Sequence, residues 1–163
     1  PYLLLEDMAI VFDILDLDDR SIQRIDHKKA NKEQWSDKFL WESAKKNTKQ
    51  LLPAKFEPVY KDFRGHTEDR PVFMVSNKIQ RYGAGVICYE DFLDDISRKY
   101  NKSLYLLPTS IHEMLLLFHD GEDPEEDLLH ILEKSNQQLS KEEFLSENIY
   151  YYDKYMGELI SLF

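Results

Sequence analysis

Pro71-Val-Phe-Met-Val-Ser-Asn-Lys78, Gly83-Ala-Gly-Val-Ile-Cys-Tyr89, Leu104-Tyr-Leu-Leu-Pro-Thr-Ser110 and Ile111-His-Glu-Met-Leu-Leu-Leu-Phe-His119 follow one another within residues 71–120. Each segment is short, apolar and rich in β-branched or aromatic residues, as strands are. Between the second and third, Glu90 to Tyr100 sets Phe92, Leu93, Ile96 and Tyr100 at helical spacing. Four β-rich segments around one amphipathic helix make the core of a domain that mixes strands with helices.

Working outward toward the N-terminus, Ala54 to Phe63 contains Pro58 and reads as an edge strand or an extended crossing, since proline gives a sheet no N–H. Gly65 to Arg70 is a polar loop. Lys32 to Leu52 reads as one helix with Trp35, Phe39, Leu40 and Ala44 facing inward, ended by Pro53. Met8 to Leu15 and Ser21 to His27 read as strands, and the Asp16 to Asp19 cluster between them turns the chain into a hairpin.

Toward the C-terminus, Asp123-Pro124 with Glu126 is a helix start, and the helix buries Leu128, Leu129, Ile131 and Leu132. Ser140 to Glu143 caps a short turn. Ile149 to Asp153 and Glu158 to Leu162 form a closing hairpin with Gly157 in the link. The order is strand, strand, helix, three times, then two strands. Short links make consecutive strands antiparallel neighbours, so the fold expected is α+β: a mixed, mostly antiparallel sheet with helices packed on it. At 163 residues the whole chain suits one domain. It begins at Pro1 rather than Met, and the reading is that native N-terminal residues are missing.

The net charge of −10, from 31 acidic and 21 basic residues, argues against a surface that tracks nucleic-acid phosphates. Its simplest use is solubility; it also permits a protein partner with a basic surface, or mimicry of nucleic acid by the acids at Asp13 to Asp19, Glu90 to Asp95 and Glu122 to Asp127. Acids in a first helical turn have a simpler role, complementing the helix dipole. The single Cys88 allows no internal disulfide and lies in an apolar segment, which fits an inert thiol in a reducing, cytoplasmic setting. No stretch approaches the ~18 apolar residues of a membrane-spanning helix.

Ser110, His112 and Glu113 are the sharpest cluster. A hydrolytic set needs the imidazole within hydrogen-bond reach of both hydroxyl and carboxylate. On a strand Ser110 and His112 share a face while Glu113 points away, so the neighbours do not form a triad. The simpler reading is a polar bend after Pro108 that satisfies its own backbone. His112, Glu113, His119 and Asp120 lack the spacing of a helical zinc motif, and no cofactor is expected. Gly83-Ala-Gly85 leads into an apparent strand rather than a helix, so close backbone approach explains it better than a phosphate loop. In the last hairpin Tyr150 and Tyr152 share one face. Packing across to neighbouring strands is the simpler use of these rings; where a face is exposed, they are, together with Tyr155, Asp94 and Asp95, the candidate interaction residues.

The strings Val75-Ser-Asn77-Lys78, Gly83-Ala84 through Tyr89, Tyr105-Leu-Leu-Pro108-Thr-Ser110-Ile-His112-Glu113 and Glu143-Phe-Leu-Ser146-Glu-Asn-Ile-Tyr150-Tyr-Tyr-Asp153 resemble a bacterial family, domain of unknown function 5688. Ala44 to Pro53 resembles it too, so the likeness covers about residues 35 to 155. The resemblance implies no activity, cofactor or catalytic residue. The expected function is therefore an intracellular protein-interaction or regulatory module. The alternatives are a small hydrolase using Ser110 and His112, and an acidic nucleic-acid mimic.

Overall fold

The computed structural model describes residues 1–16, 18–19, 21–59, 71–121 and 125–162. These fall into two compact units, Pro1–Leu51 and Leu52–Phe163.

The first unit starts with two short hairpins. β1 (Tyr2–Leu5) pairs with β2 (Met8–Val11), and β3 (Asp13–Leu15) pairs with β4 (Ile22–Arg24), both antiparallel. The expected strand from Met8 to Leu15 is thus two strands, broken at Phe12. That ring turns into the core with Ile25, Ala30 and Leu40, and the chain changes partner there, its carbonyl accepting from Ile25 N at 2.9 Å. The expected β3–β4 turn is present: Asp16 Oδ1 accepts from Asp18 N at 2.9 Å, and Asp19 Oδ1 from Ser21 N at 2.7 Å.

Two helices replace the single helix expected over residues 32–52. α1 (His27–Lys32) starts where Asp26 accepts from Lys29 N, and this cap ends the expected Ser21–His27 strand early. α2 (Asp37–Leu51) starts where Ser36 Oγ accepts from Phe39 N at 3.1 Å. Between them Gln34 takes a left-handed φ of 57°, which no continuous helix allows. Leu40 is buried as expected, but Phe39 is exposed. α2 stops two residues before Pro53, as a proline demands.

The second unit is an α+β sandwich on one six-stranded sheet. Its strands are β5 (Ala54–Pro58), β6 (Val72–Asn77), β7 (Leu104–Ser110), β8 (Glu113–Phe118), β9 (Tyr150–Asp153) and β10 (Glu158–Ser161). The spatial order is β10-β9-β7-β8-β6-β5 and every pairing is antiparallel. β5 is an edge strand ending at Pro58, where the missing N–H costs the ladder nothing. The strand-strand-helix order holds twice in this unit, whereas the first unit places four strands before its two helices.

Both faces of the sheet are covered, which is why β7 and β8 read as continuous apolar runs. α4 (Glu125–Asn136) lays Leu128, Ile131 and Leu132 on Val72, Tyr105, Leu107, Leu115 and Leu117. On the opposite face α3 (Phe92–Tyr100) buries Leu93 and Ile96, and its Tyr100 ring meets Phe118 at 4.6 Å and Phe73 at 6.3 Å. Asn101, at φ 53°, ends α3. The Gly65–Arg70 loop and the Asp123-Pro124 helix start lie outside the described residues.

Three local expectations change. Gly83–Cys88 is a 3₁₀ helix, not a strand, because Gly83 is held against β6 and the β7–β8 turn. β7 runs through Pro108 to Ser110, and the pairing with β8 shifts register between Leu107 and Ser110, so the proline sits where a ladder N–H is not needed. The bend is therefore Ile111–His112 rather than Pro108, and strand parity does not govern His112.

Candidate functional site

The polar residues quoted from three separate strings converge at one end of the sheet. Asn77, the buried last residue of β6, organises the loop that follows. Its Oδ1 accepts from Ile79 N at 3.1 Å and Arg81 N at 3.4 Å, and its Nδ2 donates to Arg81 O at 2.8 Å. Gln80 and Tyr82 both take φ 52°, an uncommon conformation for residues with side chains. The second of these turns points Tyr82 N–H at His112 Nδ1, 3.0 Å away.

Gly83 comes next, pressed on backbone. A Cβ there would lie 2.1 Å from Ser76 Oγ, 2.4 Å from His112 O and 2.7 Å from Asn77 N. Ala84 N then donates to Ile111 O at 3.3 Å, and Ile111 N donates to Glu143 O at 2.9 Å. Ser76 Oγ donates to His112 O at 2.8 Å. Ser110 Oγ accepts from His112 N at 3.0 Å and from Glu113 N at 3.2 Å, while Thr109 Oγ1 donates to Glu113 O at 3.2 Å.

These bonds say what the cluster can do. Ser110 is buried and its hydroxyl oxygen faces two main-chain donors. His112 Nδ1 is an acceptor, which places the proton of the neutral ring on Nε2. The His112 ring lies 5.6 Å from Tyr82, and Arg81 sits over Tyr82 at 5.5 Å. The arrangement clasps the Asn77–Gly83 loop to the β7–β8 turn, with each polar group serving a backbone partner. Gly83, not Gly85, is the glycine that close approach requires: a Cβ at Gly85 would meet nothing within 4 Å.

The remaining histidine and acid of this region are engaged elsewhere. His119 Nδ1 lies 3.1 Å from Tyr151 Oη, and Asp120 pairs with Lys102. Among the described residues no group of three or more His, Cys, Asp or Glu gathers where it could hold a metal ion. No helix among them is long and apolar enough to cross a membrane.

Cys88 lies half-buried at the end of the 3₁₀ helix, and burial pushes its thiol up to about 11. Burial, with a contribution from Cys88, pushes the neighbouring Tyr89 phenol up to about 12, and Tyr89 Oη donates to Leu52 O at 2.7 Å. A thiol raised from 9.0 to about 11 holds about a hundredfold less thiolate at pH 8. A more basic thiolate is also more nucleophilic, so native protein should react at least about tenfold more slowly with a disulfide reagent than the urea-unfolded chain, and equal rates would contradict this burial. Both groups are acids held above their ordinary values. Their contribution to stability is intact below about pH 9 and is lost as the pH rises toward 11 and 12.

The candidate interaction residues divide sharply. Tyr150 and Tyr152 are buried. Tyr150 Oη donates to Ser146 Oγ at 2.9 Å, and Tyr152 Oη to Asp94 Oδ1 at 3.5 Å. Burial and the Asp94 carboxylate together hold the Tyr152 phenol above its ordinary value. Asp94 also pairs with Arg98 at 2.8 Å, while Asp95 is exposed.

Tyr155 is different: it is 85 % exposed at the tip of the β9–β10 hairpin, beside Met156 at 70 %. The tip is held firmly. Asp153 Oδ1 accepts from Tyr155 N at 2.7 Å and Met156 N at 3.0 Å, and Gly157 turns the chain at φ 67°. Lys154 Nζ donates to Asn101 O and Oδ1 at 3.2 and 3.3 Å and sits 4.7 Å from the Tyr155 ring centroid. Sequence reasoning missed Met156. The Asp153-to-Gly157 spacing was the available signal, because a tight Asx turn closed by glycine puts the residues between in water.

No curated protein and no solved structure matches this chain. A family model does, and it reaches further toward the N-terminus than the motif strings suggested. Matching that model over residues 1–154, the chain belongs to DUF5688, a family of unknown function.

Proposed function

We propose that this protein is an intracellular, cytoplasmic interaction module without catalytic activity, and that it engages another protein through the β9–β10 tip. The observation that carries the reading is the presentation of Tyr155 and Met156, two large side chains held in water by a hydrogen-bonded turn. Tyrosine and methionine are both enriched at interfaces, and an ordered turn loses little entropy when it docks. The partner this tip fits has an apolar socket that accepts Tyr155 and Met156, with room beside the Tyr155 ring for the Lys154 ammonium that sits 4.7 Å from it. The bonding of Ser110 and His112 supports a structural role for the cluster that most resembles a catalytic one.

The test is capture from the source cell with wild type and with the Tyr155→Ser/Met156→Ser double variant. The variant should keep its unfolding temperature within about 2 °C, since exposed positions contribute little to stability, and should lose the partner. Capture that survives the double substitution would sink the reading.

A further inference from the structure

The first unit breaks the rule that the water-facing side of a hairpin is polar. The register of β1 and β2 places Leu3, Leu5, Met8 and Ile10 on one face, which is buried or half-buried. Tyr2, Leu4, Ala9 and Val11 occupy the other. Tyr2 is 55 % exposed, Leu4 73 % and Val11 41 %, and Ala9 is exposed as well. Tyr2 lies directly across from Val11, and Leu4 from Ala9, so the four side chains form one contiguous patch with no charge on it. Such patches mark interfaces.

Shape and charge together name the occupant. The large side chains, Tyr2 and Leu4, both lie on β1, and the small ones, Ala9 and Val11, both lie on β2. The face is a ridge beside a shallow row. A two-fold axis parallel to the strands sets the ridge of one copy over the row of the other, Leu4 on Ala9 and Tyr2 on Val11, twice over. Residues 1–51 hold ten acids and nine bases, whereas residues 52–163 hold twenty-one and twelve. The patch therefore belongs to the unit of nearly balanced charge, so two copies of that unit bring together little net charge of one sign.

We infer that the Tyr2–Leu4–Ala9–Val11 face is a self-association surface on which two copies of this chain stack their hairpins. It uses none of the residues of the interaction tip, so either reading stands or falls alone. Four side chains a side cover well under the ~800 Å² per partner of a standard interface, so the dimer is weak, with a dissociation constant of about 10–500 µM.

Sedimentation equilibrium on the full chain, from about 10 to about 500 µM, tests this. The weight-average mass should climb from 19.5 kDa toward twice that value. Raising salt from about 0.05 to about 0.5 M should tighten the dimer, by screening one −10 chain from the other. Leu4→Glu and Val11→Glu, each checked for wild-type circular dichroism, should weaken it at least about tenfold, and if one misfolds the other decides. A wild type that stays monomeric at the top concentration overturns the inference. So does a dimer that both substitutions leave intact.

Discussion

Gly83→Ala is expected to destabilise the protein by about 4 kcal/mol or more. The added methyl would meet Ser76 Oγ, His112 O and Asn77 N, all under 3.0 Å, and two of the three are backbone atoms that have no rotamer to escape into. Relief requires moving the β7–β8 turn off β6, which breaks the Ser76 Oγ to His112 O bond and the Tyr82 N to His112 Nδ1 bond together. Gly85→Ala is the control. It sits in the same 3₁₀ helix with open space around it and should be neutral or stabilising by up to about 1 kcal/mol. Urea midpoints of the two variants measure the difference, and equal midpoints would remove the clasp from the account.

The second large effect is at Asn77. One buried amide satisfies Ile79 N, Arg81 N and Arg81 O. Asn77→Ala leaves these groups without it and should lose about 2–4 kcal/mol. For a chain of this size that lowers the unfolding temperature by about 5–15 °C. Amide exchange of Tyr82 should quicken with it, since the loop that carries its N–H to His112 loses its support. An unchanged unfolding temperature would show that the loop holds itself without Asn77.

Much of the architecture was legible where one physical cause dominated. Leu104 to Leu107 and Met114 to Phe118 read as strands because both sheet faces are covered, leaving no polar alternation to confuse the pattern. Pro53 and Pro58 marked a helix end and a sheet edge because proline's missing N–H limits where it can stand.

What was not legible lay where tertiary contact overrode local preference. Val86-Ile-Cys88 has a strand's composition, yet the contact of Gly83 with Ser76 and His112 winds the segment into a 3₁₀ helix. Phe12 sits inside one apolar run that serves two hairpins. A left-handed Gln34 and a capping Ser36 split what periodicity reads as one helix.

The site divides the same way. Alternation along β9 placed Tyr150 and Tyr152 on one face and Tyr151 on the other, and the structure has the first two buried. Which of the two faces buries its tyrosines more deeply depends on what packs on each side, and no local pattern reports that. His112 shows the limit most clearly. Its ring is fixed by the N–H of a residue thirty positions away, and only Tyr82's left-handed turn makes that bond.

The polar cluster around Ser110 and His112 serves the backbone of the fold, and the hairpin tip is the surface we propose for a partner protein. Unfolding temperature and partner capture, measured on Ser110→Ala and on Tyr155→Ser/Met156→Ser side by side, test this most directly. Ser110→Ala strips an acceptor from His112 N and Glu113 N, so it should lower the unfolding temperature by several degrees and leave capture by the folded protein unchanged. The tip variant should do the reverse. Capture lost with Ser110→Ala and kept with the tip variant would overturn this division of roles.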